Sequence, residues 1–65
     1  MLNTDNAATY ALSLFTGAEL VSAVIEIDDG SELATVVLMV PCEGAMVEEI
    51  VSVWINADNE IYGEW

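Results

Sequence analysis

Sixty-five residues make one small domain at most, and a chain of that length buries only about 60% of the surface it exposes when unfolded, so its core must be rich in apolar side chains. The hydrophobic fraction of 55% meets that demand and excludes an intrinsically disordered chain. Twelve Asp and Glu stand against no Lys, Arg or His, a formal charge of −12, which excludes salt bridges between side chains and argues against direct binding to nucleic acid, whose phosphates carry the same sign.

Cys42 is the single cysteine, so there is no internal disulfide, and without His few ligands exist for a structural zinc; neither metal nor cofactor is expected. No basic segment resembling the start of a signal peptide is present. The longest apolar run, Leu33 to Cys42, has about half the length that a membrane span needs. A soluble, cytoplasmic protein that does not engage membranes is the expectation.

In chain order, Met1 to Asn3 reads as a short lead-in, with Thr4 or Asn3 as N-cap and Asp5 in a first turn whose dipole favours a carboxylate. Ala8, Ala11, Leu12 and Phe15 fall on one helical face, and Gly17 is placed to end the helix at C′, which predicts a helix over 5–16. From Leu20 the period becomes two. Val21, Ala23, Ile25 and Ile27 alternate with Ser22, Val24, Glu26 and Asp28, and Asp28-Asp29-Gly30 has the chemistry of a hairpin turn. Leu33 to Val40 is apolar on both parities, which predicts a central strand covered on both sides, stopped by Pro41. Residues 41–44 read as a turn. The next segment is ambiguous: Met46, Val47, Ile50, Val51 and Trp54 match a helical stripe, whereas Val51, Val53 and Ile55 alternate as a strand, which β-branching favours. Asn56 to Asn59 is turn chemistry, and Glu60 to Trp65 a last strand. The predicted fold is α+β: a single domain, 1–65, with one N-terminal helix packed on a four-stranded antiparallel β-meander. The alternative has a second helix at about 45–54.

Catalysis is poorly provided for, because acid–base work falls most often to His and a reactive thiolate needs a positive neighbour. Cys42 has Glu43 beside it instead, so a buried or incidental thiol is expected, and no enzyme. Asp28-Asp29-Gly30-Ser31-Glu32 has three acids around a glycine but lacks the spacing of an EF-hand, which favours a solvated hairpin tip over a calcium loop. Phe15 belongs to the core. Trp54, Tyr62 and Trp65 are candidates for interface anchors, Trp54 being of opposite parity to Val51, Val53 and Ile55. The competing reading has Trp54 cover the second face of Val37 and Met39.

Strand residues i and i+2 lie about 6.6 Å apart on one face, close to the roughly 7 Å between successive phosphates of one nucleic-acid strand. Glu26 with Asp28, and Glu60 with Glu64 about Tyr62, have that parity. An up-down meander places its first and third turns at one end, which would gather Asp28, Asp29, Glu32, Asp58 and Glu60 there and leave Glu19, Glu43 and Glu48 toward the other. Spread evenly, twelve charges would dilute to about 340 Å² each, against roughly 110 Å² on duplex DNA, so mimicry of DNA requires clustering and help from apolar contacts. The bland account of the same acids is a solvated surface that keeps an apolar small protein in solution.

The length, the acidity, the helix-then-strands pattern and the acidic tip Ile27-Asp28-Asp29-Gly30-Ser31-Glu32 resemble the small phage-encoded inhibitors that imitate nucleic acid, and among them the anti-CRISPR proteins directed at type I-C surveillance complexes. The resemblance implies a monomeric inhibitor in the cytoplasm of a bacterial host that evades host defence by occupying the basic DNA-binding groove of a Cas effector complex and blocking recognition of target DNA. Glu26, Asp28, Asp29, Glu32, Asp58, Glu60, Tyr62, Glu64, Trp54 and Trp65 are the expected partner-binding residues. Inhibitors of uracil-DNA glycosylase and of restriction enzymes follow the same logic, and an acidic assembly or adaptor protein is the alternative from another class.

Overall fold

The computed structural model describes residues 2–28 and 31–65. Helix α1 (Thr4–Leu14) is followed by strands β1 (Glu19–Asp28), β2 (Ser31–Cys42), β3 (Ala45–Ile55) and β4 (Ile61–Glu64), which form one antiparallel sheet in the order β1-β2-β3-β4. This is the helix-plus-meander architecture expected from the sequence.

Local chemistry sets the helix ends. Asn3 is the N-cap: its side chain accepts from the Asn6 N–H at 2.8 Å, while the Asn6 side chain accepts from the Asn3 N–H at 2.9 Å. Leu2 is no mere lead-in. It stands one residue before the cap, is buried, and joins the core with Ala7 on the fourth helical residue, the pairing of a hydrophobic staple. The helix ends two residues earlier than expected, because Phe15 already has extended backbone (φ −131°, ψ 121°). Gly17 therefore does not stand at C′; with φ +77° it turns the chain toward β1, and a Cβ there would meet Pro41 Cγ at 3.2 Å.

The segment at 45–54 is a strand, and the second-helix alternative is overturned. All of β2 from Leu33 to Cys42 finds partners on β3, from Leu33↔Trp54 to Cys42↔Ala45, so a long β-branched segment satisfies its backbone in the sheet. The hairpin turns tightly at Glu43 (φ 50°) and Gly44 (φ 82°), the two positive φ angles of a type I′ connection. Pro41 does not stop β2. It lies past Met39, the last residue paired with β1, in a stretch with a strand on one side only.

The core lies between α1 and one face of the sheet. Ala7 and Ala11 let the helix approach closely, and Ala34, Val36, Leu38, Val51 and Val53 meet it fully buried, with Leu2 closing one end. No polar side chain among the described residues is buried. Only this face has a covering layer. The expectation that β2 is covered on both sides is corrected: β2 is central, but Leu33, Thr35, Val37 and Met39 point away from the helix and keep part of their surface exposed. The long β2–β3 hairpin draws the molecule into a rod whose Cα extents are 41 × 18 × 17 Å. No helix among the described residues is long and apolar enough to cross a membrane.

Candidate partner-binding surface

Strand direction alternates, so the first and third turns lie at one end of the sheet. Directly opposed residues share a face, and one row crosses all four strands near that end: Glu26, Leu33, Trp54 and Tyr62. Glu26 is its outermost member on β1, and Tyr62 ends it on β4. The Trp54 and Tyr62 rings stack at 6.2 Å with 26° between planes.

The third turn is built by Asn56. Its side-chain oxygen accepts from the N–H groups of Asp58 and Glu60, both at 2.9 Å, and Asn59 takes a positive φ of 64° that Asn tolerates. The Tyr62 hydroxyl donates to the Glu60 carboxylate at 3.2 Å and accepts from the Asn56 amide at 3.1 Å. Glu60 is thereby tethered to the aromatic pair, while Asp58 stands exposed at the turn. The Asp28 side chain, Asp29 and Gly30, which carry the expected first turn and most of the candidate calcium loop, lie outside the described residues.

Two of the expected binding residues have other surroundings. Glu32 is at the same end but on the helix side of the sheet, half-buried, and its carboxylate accepts from the Leu2 N–H at 2.9 Å. That bond fastens the chain entering α1 to the sheet. Trp65 likewise belongs to the helix side, edge-on to Phe15 at 6.0 Å and 75°, and is 62% exposed. Trp54, Tyr62 and Trp65 therefore do not make one aromatic patch. Trp54 does face outward, but its neighbours are Leu33 and Tyr62 rather than Val37 and Met39, which oppose Ile50 and Glu48. Glu64, opposite Ser52, is on the helix-free face at the β4 edge. Glu19 and Glu48 flank Met39 toward the far end, and Glu43 is in the β2–β3 turn.

The sequence reading missed the apolar part of the helix-free face. Val24 and Ile50 are each 52% exposed there, with Leu33 and Met46 also open to solvent. The signal was available: a single helix can cover one face of a sheet, so a β2 apolar on both parities implies one uncovered apolar face.

No group of three or more His, Cys, Asp or Glu among the described residues could hold a metal ion. Cys42 is exposed at the far end of the β2–β3 hairpin, so the buried alternative for its thiol does not hold. A shallow groove between the start of α1 and Ile61, lined also by Asn3, Asp5, Thr9 and Tyr10, contains neither thiol nor cation. The surface arrangement can thus present fixed negative charge and apolar area to a partner. No family model matches the chain, and neither a curated protein nor a solved structure matches it significantly.

Proposed function

We propose that this protein is an inhibitor that imitates the charge of nucleic acid and occupies the basic DNA-binding groove of a host defence complex, as its resemblance to anti-CRISPR proteins implies. The observation that carries this reading is a narrow rod bearing carboxylates and no basic side chain. Twelve carboxylates against a 41 Å length amount to one per about 3.4 Å, half the linear charge density of duplex DNA, which carries one charge per about 1.7 Å. Charge per area is lower than in DNA: twelve carboxylates share 4306 Å² of surface. Tight binding therefore draws on the carboxylates at one end of the sheet, Glu26 on β1 and Asp58 and Glu60 beside β4, and on uncharged contacts.

The inhibitor acts by exclusion. Long-range attraction steers it into a cleft lined with Lys and Arg, and its carboxylates then take the positions of phosphates, so target DNA cannot enter. The test uses a purified type I-C surveillance complex and a labelled target duplex. The protein is expected to displace the duplex, with binding that weakens as salt rises. Replacing Glu26, Asp58 and Glu60 by Lys should abolish displacement, and reversal of Glu43, in the β2–β3 turn at the far end, should be milder. Glu32 is left out of the first set because its reversal would break the bond to Leu2. Inhibition that persists on complex already saturated with DNA, or a gel shift of DNA by the protein alone, overturns the reading. Binding without competition would favour the acidic adaptor instead, a reading to which the open apolar face lends weight.

A further inference from the structure

We infer that the helix-free face of the sheet seats directly on the partner, and that the partner presents there an apolar centre ringed by Lys or Arg. This rests on the inhibitor reading and names the surface through which it works. The cross-strand rows order the face. Val24, Thr35 and Ser52 lead out to Glu64; Leu33 and Trp54 lie between Glu26 and Tyr62; Met39 lies between Glu19 and Glu48. Uncharged side chains thus occupy β2 and the adjoining part of β3, and carboxylates stand outermost in three rows. The row of Ser22, Val37 and Ile50 has no charge at all.

This is the layout of a protein interface, with an apolar centre that excludes water and a charged rim that sets register. It also chooses the occupant. A second copy of the chain would offer Glu19, Glu26, Glu48 and Glu64 only further carboxylates or uncharged groups, with no basic side chain to offset them. The area points the same way. Two strand widths span about 10 Å, and Leu33 to Met39 about 20 Å, so the uncharged centre on β2 and adjoining β3 covers roughly 200 Å², well below the roughly 800 Å² per partner of a standard interface. Apolar contact alone is too small for a stable dimer, whereas a basic partner adds the rim to it.

The face can be read in isolation. The Trp65→Phe variant leaves Trp54 as the sole tryptophan, placed on the open face. It is titrated with an amphipathic helical peptide of Leu and Lys, and with an oligolysine of equal charge. The Leu/Lys peptide should blue-shift Trp54 emission and move the amide resonances of Val24, Val37 and Ile50, whereas oligolysine should bind more weakly and leave Trp54 emission in place. Changing Val24 and Ile50 together to Ser should weaken the Leu/Lys peptide by about 10-fold or more with circular dichroism unchanged. Equal affinity for the two peptides, resonance shifts confined to α1, or dimerisation of the protein through this face overturns the inference. On the surveillance complex, a double variant that displaces DNA as well as the parent overturns the face while the inhibitor reading stands. Should the parent itself fail to displace DNA, the inhibitor reading falls, and the peptide titration still decides the face.

Discussion

Val36 and Val37 are neighbours on one strand, yet Val36 is fully buried under α1 and Val37 points to a face with no covering layer. The difference runs the length of the sheet. Ala34, Val36, Leu38, Val51 and Val53 on one side are sealed from solvent, and Val24 and Ile50 on the other are each 52% exposed. Both faces are apolar at their centres, but only one contributes fully to folding. The chain therefore keeps apolar surface that its own stability does not require, on a molecule whose twelve carboxylates already oppose compaction. Such surface is costly to solubility unless a partner uses it.

The sharpest way to break this comparison is to truncate one residue on each face. Leu38→Ala opens a cavity against the helix and should cost about 2–5 kcal/mol, enough to unfold much of a domain this small. Ile50→Ala removes a half-exposed side chain and should cost about 1 kcal/mol or less. Urea melts of the two variants check this. Equal losses would mean that the open face is covered in solution, and the contrast between the faces would fail.

What the sequence made legible follows the same division. Alternation in β1, the turn chemistry at 56–59 and the β-branched run after Ile50 were enough to read the meander, because each is a local signal; the turn expected at 41–44 is confined to Glu43 and Gly44, since Pro41 and Cys42 still pair with β3. The misreadings came from features that depend on distant neighbours. Val21 has the parity of a core residue, but the register shifts between Leu20 and Ser22 and leaves it 58% exposed. Ile27 keeps its parity and is still 73% exposed, because it lies opposite Glu32 at the end of the sheet. Of the site, strand parity set Glu26 apart from Ile25 and Trp54 apart from Val51 and Val53, but that Glu26, Trp54, Tyr62 and Glu64 share one face follows only from the cross-strand register. Parity could not show that Glu32 turns to the Leu2 N–H, or that Trp65 meets Phe15 on the other side.

Glu32 and Glu26 give a charge version of the two-face comparison. Both lie near the same end, but Glu32 holds the start of the helix to the sheet, while Glu26 stands exposed on the open face. Glu32→Ala should cost about 1–2 kcal/mol by stranding a part-buried N–H, and Glu26→Ala should leave stability unchanged or slightly raised through reduced repulsion. Thermal melts of the pair test it, and a Glu26 loss as large as that of Glu32 would contradict the assignment. Salt acts on the sum of all carboxylates. Raising it from low to physiological concentration should increase the melting temperature by several degrees, each kcal/mol of relieved repulsion being worth about 4–8 °C in a domain of this size. A melt that does not move would show that the acids are too dispersed to strain the fold.

The smallest expected effect is at the far end of the rod. Glu43 holds a positive φ of 50° beside Gly44 in the β2–β3 turn, a conformation that costs a residue with a full side chain more than Asn or Gly. Its carboxylate is exposed and is remote from the row through Glu26 and Tyr62. Glu43→Asn should therefore stabilise the protein by roughly 0.5–1 kcal/mol, combining a better turn residue with one fewer like charge. Displacement of DNA from the surveillance complex should hardly change, because the charge removed belongs to the end that the proposed contact uses least. If the variant is more stable but inhibits about 10-fold less, the binding charge extends along the whole rod, and the distinction between its two ends must be abandoned.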